Sequence, residues 1–99
     1  MAFELRLPRQ LSRAGWKVKI RDKERLEEPH VTIIKGTTSW RVSLRGGEFL
    51  DEARWKDFPD SLCEAIEENW DRLCKEWDAR YPHNPVSGEQ ESEGDDQDK

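Results

Sequence analysis

Long apolar stretches are missing from this chain. No run of about 18 consecutive apolar residues, the minimum for a membrane-spanning helix, occurs in its 99 positions. The first six residues, MAFELR, hold no apolar segment of the kind that a signal peptide needs, and they already include an acid at Glu4. The sequence therefore predicts a cytoplasmic protein without a membrane partner.

Cysteine is scarce, since the chain has two, Cys63 and Cys74. If both lie on one helix, their eleven-residue spacing separates them by about 16 Å, whereas disulfide partners need Cα atoms within about 7 Å. Neither has a histidine at the spacing of a zinc site. We predict two buried thiols, no internal disulfide, no metal and no other cofactor.

Hydrophobic residues are also few, at 33% of the chain against 39% charged residues, which limits the core to that of one small domain. Five tryptophans offset this shortage, because each buries roughly 150–250 Å². We predict a single domain over residues 1–83. Residues 84–99 are rich in Gly, Ser, Glu and Asp, with Val86 as their one apolar side chain, and they predict a disordered acidic tail.

The common motifs of nucleotide-binding and hydrolytic enzymes are absent. The sequence contains no P-loop, no GxGxxG, no HExxH, no paired CxxC and no serine elbow. None of these motifs therefore predicts an enzyme, and the pattern of the charged residues favours a binding module.

Alternating apolar and polar residues predict β-strands at residues 16–21 and 40–45, and a run rich in β-branched residues predicts another at 30–35. Short turns at 36–39 and 46–47 favour antiparallel pairing, and a short fourth strand is possible after the second turn, at 48–50. The first fifteen residues are ambiguous. Alternation at Phe3, Leu5 and Leu7 suits a short strand, and the stretch from Arg9 to Ala14 suits one helical turn.

A helix is predicted from about Pro59 to Tyr81, because proline suits a first helical turn and Pro82 ends the pattern. Its apolar residues fall within a stripe about 120° wide. They are Leu62, Cys63, Ile66, Trp70, Leu73, Cys74, Trp77 and Tyr81. The predicted fold class is α+β, with an antiparallel sheet of three to four strands and one long C-terminal helix packed on one face.

Charge is sorted along the chain. Residues 1–45 carry eleven Lys/Arg against five Asp/Glu, whereas residues 46–88 carry five against eleven. Residues 89–99 add six acids and one lysine. The basic part coincides with the predicted strands and the acidic part with the predicted helix, so the two signs should lie on different surfaces.

The basic residues of the first half alternate along the predicted strands. They should face away from the helix, on a side of the sheet that no other predicted element covers. Such a patch attracts phosphate backbones through counterion release, so nucleic acid is the leading predicted partner of a small binding module. The residues of this predicted face are Lys17, Lys19, Arg21, Arg41 and Arg45.

Three alternatives stay open for this face. Lysine and arginine often do no more than solvate an exposed sheet and protect its edges. The face, or a free sheet edge, would also suit a protein-interaction subunit that docks an acidic partner or forms a homodimer. The acidic tail would in addition be able to fold over the basic face and compete with nucleic acid.

His30 is the titratable side chain of the predicted domain best suited to general acid–base chemistry. Beside an arginine it would suit a small nuclease, in which the imidazole transfers protons and the arginine holds phosphate. A histidine that opens a strand also commonly bonds to the backbone. We include His30 among the candidate binding residues and assign no catalytic residue.

Two short motifs carry a resemblance to a known family. The strand PHVTIIKG at residues 29–36 and the triplet ENW at 68–70 resemble a family of short bacterial proteins of unknown function, whose members combine a Pro-His-x-His strand with a Glu-Asn-Trp helix. Some members are encoded beside antitoxin-like genes, so the resemblance implies a toxin–antitoxin-like role. The second histidine of the family's strand is replaced by Thr32 in this chain, which argues against a metal or catalytic site built from two histidines.

Overall fold

The computed structural model describes residues 3–21 and 28–86, and the predicted tail beyond Val86 lies outside them. Its sheet is a four-stranded antiparallel meander in the order β1-β2-β3-β4. The helices are α1 (Arg9–Arg13), α2 (Asp60–Glu68) and α3 (Trp70–Arg80), with a 3-10 helix at Trp55–Asp57. The strands are β1 (Phe3–Glu4), β2 (Trp16–Ile20), β3 (His30–Lys35) and β4 (Thr38–Ser43). The predicted α+β class is confirmed.

The strand register places the apolar alternation on one face. Val18 lies opposite Ile33, and Val31 lies opposite Val42. All four side chains are fully buried, so the predicted core face of the sheet is confirmed. Strands β3 and β4 are joined by a two-residue turn that begins at Gly36, whose φ of +62° is a conformation that side chains with a Cβ rarely adopt.

The fourth strand is β1, and the strand considered at 48–50 is reduced to one isolated bridge between Val42 and Phe49. The amide of Leu50 donates to the carbonyl of Arg41 at 2.8 Å. The next residue, Asp51, then binds the Arg41 side chain and turns the chain off the edge of β4. The pairing therefore ends after three residues.

The single long helix predicted over 59–81 is wrong, because the chain breaks it at Asn69. The Asn69 side-chain amide donates to the carbonyl of Ala65 at 2.7 Å, which a continuous helix would bond to the Asn69 backbone. The backbone amide of Asn69 donates instead to Ile66, at 3.2 Å. A local side-chain bond has thus replaced one helical bond and separated α2 from α3.

Helices α2 and α3 contribute side chains to the same core as the sheet. The aromatic residues Trp16, Trp40 and Phe58 contact one another, with ring centroids 5.1–6.3 Å apart. None of the helices within residues 3–21 and 28–86 is long and apolar enough to cross a membrane. The core includes Leu5, Leu11, Val18, Ile20, Val31, Ile33, Val42, Leu44, Leu62, Ile66, Leu73 and Trp77.

The chain stays attached to α3 after the helix ends. The indole Nε1 of Trp77 donates to the carbonyl of Asn84 at 2.7 Å, and the amide of Val86 donates to Asp78 Oδ1 at 2.7 Å. Val86 also packs against the core. Residues 84–86, which the sequence assigns to the acidic tail, thus contact α3 and the core.

Candidate functional site

The predicted basic face is present on β2 but does not extend across the sheet. Lys17 is exposed, and Lys19 is half-buried with its Nζ 4.0 Å from the Glu4 carboxylate. Arg21 is exposed just beyond the end of the strand. Because alternate residues of a strand share a face, Lys17 and Lys19 project from the side of the sheet opposite Val18.

Arg41 is engaged by a carboxylate on the following loop. Its guanidinium makes a bidentate contact with Asp51, at 2.9 Å from Nη2 to Oδ1 and 3.2 Å from Nε to Oδ2. The backbone amide of Arg41 donates to Oδ2 at 2.8 Å. Hydrogen bonding from the Arg41 side chain lowers the pKa of Asp51 below its usual 3.8. This ion pair neutralises Arg41, so the expectation that Arg41 adds free positive charge to the face is corrected.

Arg45 lies beyond the end of β4 and holds the segment that follows α3. Its guanidinium donates to the carbonyls of Val86 and Pro85 at 2.8 and 3.0 Å, and to the Asn84 side chain at 3.4 Å. The third predicted strand stops at Ser43, whose hydroxyl accepts the backbone amide of Arg45 at 3.2 Å. Arg45 therefore does not continue the row of cations on the sheet.

His30 is fully buried, which corrects its expected place on an accessible binding face. Its Nδ1–H donates to the carbonyl of Glu28 at 2.7 Å, and its ring centroid lies 5.4 Å from that of Trp77. Thr32 and Ser43 beside it are buried as well, so this end of the sheet face is covered. Period-two alternation does not reveal the burial of His30, because the ring that packs against it belongs to α3, which is distant in sequence.

A denser group of cations lies at the other end of the sheet order, on the β1–α1–β2 unit. Residues 3–21 hold six Lys/Arg against the single acid Glu4. Helix α1 buries Leu11 and leaves Arg9 and Arg13 exposed, one turn apart and hence on one side of the helix. We call this group the basic N-terminal surface. It consists of Arg6, Arg9, Arg13, Lys17, Lys19 and Arg21.

Sequence reasoning assigned only half of this surface to a site. The predicted face does not include Arg9 and Arg13, which lie in the first fifteen residues, where the sequence is ambiguous between strand and helix. The four-residue spacing of these arginines around Leu11, in a stretch almost free of acids, was the available indication.

A pocket of about 470 Å³ lies in the helical layer, and nothing in the sequence analysis predicted it. Trp55 of the 3-10 helix anchors one wall, because its indole Nε1 donates to the carbonyl of Gly47 at 3.0 Å. Gly47 in this turn has a φ of +78°, a conformation that residues with a Cβ rarely adopt, so the turn favours glycine at that position. The lining residues are Arg45, Gly46, Gly47, Trp55, Cys63, Ile66, Glu67 and Trp70.

The thiol of Cys63 in this pocket is unsuited to nucleophilic chemistry. Burial raises the pKa of Cys63, and the negative charges of Asp60, Glu64 and Glu67 raise it further. The thiol is 3.7 Å from the carbonyl oxygen of Trp55, to which it donates. Both cysteines of the chain are free and half-buried, and burial also raises the pKa of Cys74.

No metal centre forms in the part of the chain that the structure describes, where no three His, Cys, Asp or Glu side chains converge. Comparisons with protein-family models, with curated proteins and with solved structures found no match to this chain. The resemblance to short bacterial proteins of unknown function therefore stays a prediction.

Proposed function

We propose that this protein is a non-enzymatic binding module that engages nucleic acid through its basic N-terminal surface. The supporting observation is the exposure of Arg6, Arg9, Arg13, Lys17 and Arg21, whose side chains make no ion pair within residues 3–21 and 28–86. Unpaired Lys/Arg side chains can replace the metal cations condensed on a nucleic-acid backbone, and the release of these counterions favours binding.

The arrangement favours contact with the phosphate backbone over recognition of bases. Lys17 and Lys19 recur every second residue of β2, about 6.7 Å apart along the strand. Phe3, the aromatic side chain of β1, is half-buried and lies 5.3 Å from the guanidinium of Arg72, so it offers no stacking platform among the cations. Binding should therefore depend strongly on salt and weakly on sequence.

A catalytic role for His30 is no part of this proposal. Proton transfer needs an imidazole within hydrogen-bond reach of the substrate. His30 is fully buried against Trp77, where a phosphodiester has no access to it.

Salt titration of binding to random-sequence DNA and RNA, followed by fluorescence anisotropy, tests the proposal. For duplex DNA, each phosphate contact contributes about −0.9 to the slope of log K against log salt. We expect the variant Arg9→Gln/Arg13→Gln to lose about 1.8 of this slope. The matched control, Lys56→Gln/Lys75→Gln, removes two exposed cations elsewhere and should leave the slope unchanged.

Two results would overturn the proposal. One is an absence of binding to either nucleic acid at about 50 mM salt. The other is an equal loss of affinity in the control variant, because it would assign the effect to net charge alone. Light scattering on the same samples separates the alternative, a protein-interaction subunit, since a dimer without nucleic-acid affinity would favour that function.

A further inference from the structure

The pocket beside the Gly46–Gly47 turn combines aromatic walls with an unpaired carboxylate. Trp55 and Trp70 belong to different helices, and the fold brings both to one cavity of about 470 Å³. This volume lies within the range of small-molecule sites, roughly 300–1,000 Å³. Within the described residues, the exposed carboxylate of Glu67 at this cavity makes no ion pair.

The charges around the pocket favour a positive ligand. Glu67 lines it, the Glu48 carboxylate lies against the backbone of Gly46, and Asp60 and Glu64 precede Glu67 on α2. Burial raises the pKa of Cys63, and the negative charges of Asp60, Glu64 and Glu67 raise it further.

Arg45 is the cation among the lining residues, and its guanidinium bonds to the segment that follows α3. Its guanidinium donates to three oxygens in residues 84–86, at 2.8–3.4 Å. These contacts make Arg45 a tether for the segment after α3. They also leave Glu67 available as a counter-ion, because the two side chains form no ion pair.

We propose that this pocket binds a small organic cation, with an alkylammonium or guanidinium group held against the indoles of Trp55 and Trp70 and neutralised by Glu67. The face of an indole attracts a cation within about 6 Å of the ring centroid, and tryptophan is the strongest aromatic partner. The apolar part of the ligand would contact Ile66 and Cys63, which also line the cavity.

A charge series of ligands on the full chain tests this site by NMR, through the indole N–H signals of Trp55 and Trp70 and the amides of Gly46 and Gly47. We expect n-butylammonium to shift these signals saturably. Butanol, which is similar in size and neutral, should bind at least about tenfold more weakly, and butyrate should cause no saturable shift. Acetyl-lysine amide and acetyl-arginine amide then distinguish a side chain of a peptide from a free amine.

Substitution separates the roles of charge and shape. Glu67→Gln should weaken butylammonium binding about tenfold, and Trp70→Leu should weaken it by a similar factor. Glu68→Gln removes an exposed carboxylate of the same helix that does not line the pocket, and it should leave affinity unchanged. Equal binding of butanol and butylammonium, saturable shifts that map elsewhere, or full affinity in Glu67→Gln would overturn the proposal.

Discussion

The ion pair between Arg41 and Asp51 should stabilise the fold without contributing to nucleic-acid binding. The perturbation is a double-mutant cycle built from Arg41→Gln, Asp51→Asn and the variant that carries both changes. Each single change removes the bidentate contact, and Asp51→Asn also weakens the bond from the backbone amide of Arg41, which is 2.8 Å long. The loop then loses the attachment of Asp51 to the edge of β4, while the backbone bond from Leu50 to Arg41 remains.

The exposure of the two side chains determines the coupling energy expected for the Arg41–Asp51 pair. A buried hydrogen bond to a charged group contributes about 1.5–3 kcal/mol. Here the two side chains are 41% and 33% exposed, so solvent screening reduces the coupling to about 1 kcal/mol. For a domain of this size, 1 kcal/mol lowers the Tm by roughly 4–8 °C.

The stability contributed by the Arg41–Asp51 ion pair should decrease at acidic pH. The pKa of Asp51 is lowered in the folded protein, mainly by its hydrogen bond from Arg41. The contribution to stability is therefore complete above the usual pKa of 3.8 and is lost as the pH falls through the lower, folded-state value. Urea unfolding followed by tryptophan fluorescence at pH 7 and at pH 3 measures it.

Two outcomes would refute this account of Arg41. Additive effects of the single changes would show that the pair has no coupling energy. A loss of nucleic-acid affinity in Arg41→Gln as large as that of Arg9→Gln/Arg13→Gln would place Arg41 in the interface, in contradiction to its engagement by Asp51.

Two further predictions concern the C-terminal part of the chain. Trp77→Phe should lower the free energy of unfolding by about 2 kcal/mol in urea titrations, because it removes the 2.7 Å bond to Asn84 and leaves unfilled volume beside His30. As the control, Trp70→Phe at a half-buried position should lower this free energy by less. Truncation after Val86 removes six acids and one lysine, so it should raise nucleic-acid affinity at low salt and have little effect at about 0.5 M, where screening suppresses the difference; an unchanged affinity at low salt would contradict this.

The sequence allowed correct prediction of those parts of the fold that local periodicity determines. Alternation identified β2 and β-branched residues identified β3, and the predicted buried face is correct because one side of this sheet excludes water throughout. The helical stripe likewise predicted that Leu62 and Trp77 are buried. Periodicity did not predict the break at Asn69, since a hydrogen bond from one side chain to Ala65 leaves the apolar spacing intact.

The candidate sites were harder to predict because they depend on contacts between distant residues. Arg41 was predicted to carry free charge, but the following loop places Asp51 beside it. His30 was predicted to be accessible, but α3 places Trp77 against it. The pocket requires the Gly46–Gly47 turn and Trp70, which are more than twenty residues apart. Patterns of neighbouring residues do not predict contacts between residues that are distant in sequence.

The fold converts the sorted charge of the sequence into two fields that act separately. The basic N-terminal surface belongs to β1 and β2, and the pocket adjoins the turn after β4, at the other edge of the sheet. Three strand spacings of about 4.8 Å place β1 and β4 roughly 14 Å apart, which exceeds the Debye length of about 10 Å at 0.1 M salt. At about 0.1 M salt, an anion bound at the first surface should therefore have little effect on a cation bound in the pocket. Residues 1–88 carry sixteen Lys/Arg and sixteen Asp/Glu, and this balance conceals a basic surface and a pocket flanked by acids.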